Sequence, residues 1–221
     1  MDKTKKVITK VLILGTGGMC IDILDIMNEL GGYTCIGFLD DDKEKWNKEY
    51  QGVRVLGPLT KAKEFVDAYF VNGIGNARNF LQKKTIIDRT GIPDEKFLSL
   101  VHPTASISKR ASVGMGTVIF QHVTVASNAK IGNHVLIMAN SVVSHDVIVG
   151  DYTYITGGAC ISGLVTIGRS SYLGTNCSII GKITIGDNVL IGMGSVVLKD
   201  VPSDSVYVGN PAKFLRKINN M

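Results

Sequence analysis

The sequence predicts an α/β protein of two parts: a Rossmann-like βαβ domain over residues 1–100, then a parallel β-helix of hexapeptide repeats over 101–221 with a short C-terminal extension. Two observations lead there. An aliphatic residue recurs every six positions through the second part, and the first part alternates strand-like apolar runs with a segment of helical spacing. A chain of 221 residues with 45% hydrophobic composition can bury a core in each.

In the first part, KVLIL (Lys10–Leu14) reads as a buried strand and is followed by GTGGM (Gly15–Met19). Cys20, Ile23, Leu24, Met27 and Leu30 then fall at helical spacing, and Gly31 and Gly32 stop that helix. A second strand, CIGFL (Cys35–Leu39), runs into Asp40, Asp41 and Asp42; VRVLG (Val53–Gly57) and YFVNGIG (Tyr69–Gly75) supply two more. Strand alternating with helix implies a small parallel sheet. The stretch GIPDEKFLSLVHPTASI (Gly91–Ile107), with Pro93 and Pro103, is the passage to the second part.

There, Ile107, Val113, Ile119, Val125, Ile131, Ile137, Val143, Val149, Ile155, Ile161, Ile167, Leu173, Ile179, Ile185, Ile191 and Val197 keep one register without insertion. Gly114, Gly132, Gly150, Gly168 and Gly186 add a period of 18. Three hexads per unit describe a triangular coil of three short strands, stacked so that each aliphatic points inward. A period of six does not stay on one face of an α-helix, which excludes that alternative. Burying such side chains at ~1.5–3 kcal/mol each, before the entropy of ordering is subtracted, holds the prism together. After Pro202 the repeat ends, and a short terminal helix over Ala212–Ile218 is expected.

Gly15, Gly17 and Gly18, between a strand and a helix, let backbone N–H groups approach a phosphate at the helix N-terminus; a tight turn without a ligand is the alternative. A dinucleotide fingerprint wants glycine where Cys20 stands, which disfavours a nicotinamide oxidoreductase. Asp40 and Asp41 lie where such sheets hydrogen-bond a ribose or base, or else form a solvated loop. The two features on consecutive strand ends point together to a nucleotide pocket.

In VVSHDVIVG (Val142–Gly150), His145 and Asp146 are either a solvated corner or an acid–base pair. His145 is the second residue after its aliphatic, whereas His122 and His134 are the third after theirs, which makes those two surface or corner residues, and His102 a linker residue. The differing phases argue against the three-histidine metal site of a β-helical carbonic anhydrase, and no metal is expected. Cys20, Cys35, Cys160 and Cys177 have no metal-ligand spacing and read as buried free thiols. The net charge of +5 gathers at the ends (Lys3, Lys5, Lys6, Lys10; Lys213, Arg216, Lys217), which favours a polyanionic small molecule or solvated termini over nucleic acid. With neither a bilayer-length apolar run nor an apolar leader, the expected location is cytoplasmic, without membrane insertion.

The unbroken repeat, the strand–glycine–helix domain, the His145–Asp146 pair and the closing GNPAKFLRKI (Gly209–Ile218) resemble the sugar acyltransferases of the left-handed β-helix superfamily. Within it, they resemble the PglD/NeuD-like group of bacillosamine N-acetyltransferases and sialic-acid O-acetyltransferases. The resemblance covers nearly the whole chain. It implies a homotrimer, a nucleotide-linked sugar held by the N-terminal domain, and acetyl-CoA as co-substrate in the groove between neighbouring β-helices.

Carried onto these residues, the resemblance implies that His145 is the general base, oriented by Asp146, and that the Gly163 N–H stabilises the oxyanion. Acetyl-CoA would meet Tyr154, Gly163, Thr175 and Lys213; the nucleotide-sugar would meet Gly15, Thr16, Gly17, Asp40 and Asp41. Tyr154 and Met138 stand where the group commonly has histidine and asparagine, and Met19–Cys20 where it often has His-Gly. The expected function is acetyl-CoA-dependent N-acetylation of a nucleotide-linked amino sugar in bacterial surface-glycan biosynthesis. The alternatives are a sugar O-acetyltransferase and a non-catalytic nucleotide-sugar-binding homologue.

Overall fold

The computed structural model describes residues 8–218; Lys3, Lys5 and Lys6 lie outside them. Strands β1 (Thr9–Leu14), β2 (Tyr33–Leu39), β4 (Val53–Gly57) and β5 (Tyr69–Asn72) form a parallel sheet, and β3 (Glu49–Tyr50) pairs antiparallel with β4. The order is β3-β4-β2-β1-β5, with Val11 to Leu14 of the inner strand fully buried. Helix α1 (Gly18–Leu30) buries Cys20, Ile23, Leu24, Ile26 and Met27, and stops where Gly31, at φ 66°, donates its N–H to the Met27 carbonyl. A second helix, α2 (Lys83–Thr90), has no apolar periodicity to announce it, since KKTIIDRT buries only Lys83, Ile87 and Thr90.

β6 (Leu100–Val101) opens the β-helix, followed by two-residue strands from β7 (Ser106–Ile107) to β22 (Val196–Val197). Strands 18 residues apart pair in parallel, as Val142 with Cys160 and Tyr154 with Tyr172. Three sheets result. The eight-stranded one holds β6, β12 (Leu136–Ile137) and β15 (Tyr154–Ile155); the six-stranded one holds β13 (Val142–Val143) and the five-stranded one β14 (Ile148–Val149). The hexad aliphatics line the interior, from Ile119 to Val197 as fully buried residues.

A second inward column, among it Val123, Val135, Val147, Val165 and Val189, lies in the same core. Where this column carries a hydroxyl, it is satisfied within the prism: Thr117, Thr153 and Ser171 donate to the carbonyls of Gly132, Gly168 and Gly186. The third residue after the hexad aliphatic turns the corner at positive φ, as in His122, Asn128, His134, Asn140, Asp146 and Tyr152. Asn and Asp tolerate this left-handed conformation, which alone accounts for an acid at 146 and says nothing of the histidine before it.

The helix expected over Ala212–Ile218 is instead a strand. β21 (Leu190–Ile191) pairs with β23 (Ser205–Val208), which pairs antiparallel with β24 (Lys213–Lys217). The last coil leaves a sheet edge of unpaired backbone groups, and the hairpin satisfies them. Cys20 and Cys177 are buried as expected, but Cys160 is exposed, because its side chain alternates outward from the inward Ile161.

The outer face of the eight-stranded sheet carries the N-terminal domain. Val118, Leu136, Tyr154 and the half-buried Leu190 pack with Ile23, Met27 and Phe80. Two histidines lie in this seam and correct the linker and corner readings. His102 is 3% exposed with Nε2 2.9 Å from a Glu29 carboxylate oxygen, and His134 is fully buried, stacked on Tyr152 and 3.2 Å from Asp94. His134 does occupy a corner, but one that the docked domain covers.

Lys83 is buried in the same seam, its Nζ 3.9 Å from the Tyr154 ring centroid. Burial pushes its pKa down to about 7. Above that value the folded state sheds a proton that the unfolded lysine keeps, so stability contributed here rises with pH, by at most ~1.4 kcal/mol per pH unit. Lys83→Met should flatten this rise: denaturant unfolding at pH 7 and pH 8.5 is expected to show a stability gain in the parent that the variant lacks. An equal gain in both would place the titration elsewhere.

Candidate active site

Two candidate centres lie on different sides of the prism. The first is a cavity of about 420 Å³ at the carboxyl ends of β1, β2 and β5, lined by Gly15, Thr16, Gly17, Asp40, Lys45 and the segment Gly73–Asn76, among others. Gly15 is required: its φ is +94° and a side chain would press on Ile74. Gly17 caps α1 without a side-chain bond, and a Cβ at Gly17 or Gly18 would meet nothing within 4 Å. The Cys20 N–H donates to the Gly17 carbonyl (2.8 Å), and the Gly18 and Met19 N–H groups ahead of it are placed to meet an anion.

Asp40 organises the cavity floor. Its carboxylate accepts hydrogen bonds from Thr16 Oγ1 (2.6 Å), Lys45 Nζ (3.1 Å) and the Asp42 N–H (3.0 Å). Burial pushes its pKa up, but these bonds and the Lys45 charge outweigh burial and hold it below the ordinary carboxylate value. Asp41 does not join it. One of its oxygens accepts from the Leu59 N–H (3.0 Å), the other pairs with Arg89 (2.8 Å), and the residue does not line the cavity. Successive residues leaving a strand point opposite ways, so only one of the two acids can face the pocket.

The second centre is the corner between β13 and β14. His145, 60% exposed, donates from Nδ1 to Asp146 Oδ2 at 2.8 Å, and the other oxygen of Asp146 accepts from Asn128 Nδ2 (3.0 Å). The His145 and Asn128 bonds hold the Asp146 pKa below the ordinary value. An ionised carboxylate only accepts, so the proton sits on Nδ1 and Nε2 keeps its lone pair. Nε2 lies over Gly163, where any Cβ would collide with the ring, and no hydrogen bond among the described residues uses the Gly163 N–H.

Continuing at intervals of 18, the corner column reads His145, Gly163, Gly181, Lys199, so no side chain stands in that column between the imidazole and Lys199. Three coil heights, ~14 Å, lead to a second cavity of about 330 Å³ lined by Leu198, Lys199, Tyr207, Pro211 and Lys213, among others.

Tyr154 and Thr175 do not share that corner. Thr175 is exposed at the edge following the eight-stranded sheet and donates to Thr156 Oγ1 (3.3 Å). Tyr154 is 1% exposed, its hydroxyl engaged by the Ile74 carbonyl at 2.7 Å, so it is not free to meet a thioester in this chain. Sequence reasoning missed Lys45, which no local motif marks, and Gly181 and Lys199, which the 18-residue column does mark. Among the described residues no group of three or more His, Cys, Asp or Glu side chains is placed to hold a metal, and no helix is long and apolar enough to cross a membrane.

Residues 10–86 match the PglD N-terminal domain, and residues 128–163 and 165–199 match the bacterial transferase hexapeptide (six repeats). The first part thus carries a PglD N-terminal domain and the second bacterial transferase hexapeptide repeats, a Rossmann-like domain joined to a β-helix. More particularly, the chain is homologous to UDP-N-acetylbacillosamine N-acetyltransferase of Bacillus subtilis, at 31% identity over 115 residues, 49% of this chain. The match spans half the length of that curated relative.

Among solved structures, PerB from Caulobacter crescentus in complex with CoA and GDP-perosamine superposes with a TM-score of 0.83 at 26% identity, over 95% of this chain and 98% of PerB. The acetyltransferase domain of PglB from Neisseria gonorrhoeae, in complex with acetyl coenzyme A, shares the fold at a TM-score of 0.83 and 24% identity, over 94% of this chain and all of that domain.

Proposed function

We propose that the chain is an acetyl-CoA-dependent N-acetyltransferase acting on a nucleotide-linked amino sugar, in bacterial surface-glycan biosynthesis, with His145 as general base. The observation that carries this is the exposed His145–Asp146 pair at the head of a column of two glycines that ends at the cavity lined by Lys199 and Lys213, in a chain that also has another cavity at the α1 N-terminus. The homologues named above support the substrate classes.

In the reaction, the amine lone pair adds to the thioester carbonyl while His145 Nε2 takes its proton, and Asp146 steadies the imidazolium that forms. The Gly163 N–H meets the tetrahedral oxyanion. The oxyanion collapses, the C–S bond breaks, and the proton passes from His145 to the departing thiolate. The pantetheine arm of acetyl-CoA follows Gly163 and Gly181, and its phosphates meet Lys199 and Lys213. In the other pocket, the α1 N-terminus and Lys45 meet the diphosphate, and Asp40 meets the nucleoside.

These two centres belong to different subunits. In each coil the strands run through the eight-, six- and five-stranded sheets in turn, so the β13–β14 corner is the edge opposite the face that carries the N-terminal domain. A base there serves the pocket of a neighbouring copy, which a homotrimer of prisms provides. The assay is a panel of UDP-, dTDP- and GDP-linked amino sugars with acetyl-CoA, read by release of free thiol. Turnover of at least one amino sugar is expected; turnover only of hydroxyl acceptors would make the enzyme an O-acetyltransferase, and none at all a binding homologue.

A further inference from the structure

The nucleotide pocket has one wall that its own domain does not secure alone. Gly73, Ile74, Gly75 and Asn76 form that wall, directly after β5. Its start is tied locally: the Gly73 N–H donates to the Leu14 carbonyl, and the buried Asn72 side chain accepts from the Ile74 N–H (3.1 Å) and donates to the Ile74 carbonyl (3.3 Å). The shorter bond to that carbonyl comes from Tyr154 Oη, 80 residues away on β15 of the prism.

Gly75 is pressed onto the same phenol. Its φ is +151°, and a Cβ there would collide with Tyr154 Oη and its ring. The ring is itself fixed, with Lys83 Nζ on its face and Tyr172 5.9 Å away between centroids. Burial pushes the phenol pKa up, so the hydroxyl stays protonated and remains a donor. Tyr154 also stands nine residues after His145, at the end of the same coil.

Resting on the reading of this cavity as a nucleotide site, we infer that Tyr154 is a positioning residue for it: its hydroxyl fixes the Ile74 carbonyl, and with it the 73–76 wall, to the coil that carries His145. It acts on the nucleotide and not on the thioester.

The test is calorimetric titration of the full-length protein with UDP, dTDP and GDP, and separately with CoA, in the parent and in Tyr154→Phe. Phenylalanine keeps the ring and removes only the donor. The nucleotide that the parent binds should bind the variant roughly three- to tenfold more weakly, the cost of one hydrogen bond to a carbonyl that retains Asn72, while CoA affinity stays as in the parent. Gly75→Ala, whose added methyl would collide with Tyr154, is the harsher variant and should weaken nucleotide binding further, again with CoA affinity kept. Unchanged nucleotide affinity with a lowered melting temperature would make Tyr154 a packing residue only. Weakened CoA with intact nucleotide binding would return it to the thioester. If the parent binds none of the three nucleotides, the nucleotide reading falls and takes this inference with it; equal binding by parent and variants overturns this inference alone.

Discussion

His145→Ala should lower kcat by ~10²–10⁴, the range for a positioned general base, and leave the affinities for nucleotide-sugar and CoA near those of the parent. The imidazole is more than half exposed and packs on no hexad aliphatic, so its removal costs the fold little. Asp146→Asn should lose less activity, since the base remains while the acceptor that fixes its tautomer becomes an amide. Rates on the amino sugar found by the panel, with melting temperatures alongside, separate the outcomes. Full turnover by His145→Ala would reduce the pair to a corner whose acid merely tolerates positive φ.

That corner shows how much was legible in the sequence. Each hexad repeats one geometry, so a residue's phase gives its direction: the aliphatic inward, the third residue after it at positive φ. His145, one place earlier, differs from His122 and His134 on that ground alone. Phase also aligns Gly163, Gly181 and Lys199 beneath it. Phase could not report what covers a position. His134 read as a surface or corner residue and Tyr154 as an acetyl-CoA contact, and both are buried, because the α/β domain docks over them. Burial there depends on long-range packing, which a local repeat does not encode.

The α/β half was readable as elements, less so as a site. Gly15 and Asp40 were marked by their places at strand ends, and both line the cavity. Lys45 was not marked, because it reaches Asp40 from a short 3-10 turn with no apolar pattern. Asp41 was overread: two adjacent acids look alike in sequence, and only the backbone path shows that one is spent on Leu59 and Arg89. The terminal strand escaped for a related reason, since a sheet edge in need of a partner is a property of the stacked coils and not of KFLRK.

A protein carrying Asp40→Ala in every subunit, or His145→Ala in every subunit, should be nearly inactive at low nucleotide-sugar concentration, yet the two co-expressed should regain activity. The pocket leans on the eight-stranded face and His145 stands on the opposite edge of the same prism, so under the proposed mechanism each site would combine the pocket of one subunit with the base of a neighbour. His145→Ala subunits supply intact pockets, and Asp40→Ala subunits supply intact bases. With random assembly at equal amounts, each inter-subunit site receives both intact halves with a chance of one half times one half, so about a quarter of parental activity is expected. Against the pure His145→Ala variant, whose expected loss is ~10²–10⁴, this is a gain of roughly 25- to 2,500-fold. If pocket and base came from the same chain, every site in the mixture would lack one or the other. Mixed oligomers no more active than the average of the two pure variants would therefore disprove the shared site, whatever their subunit number.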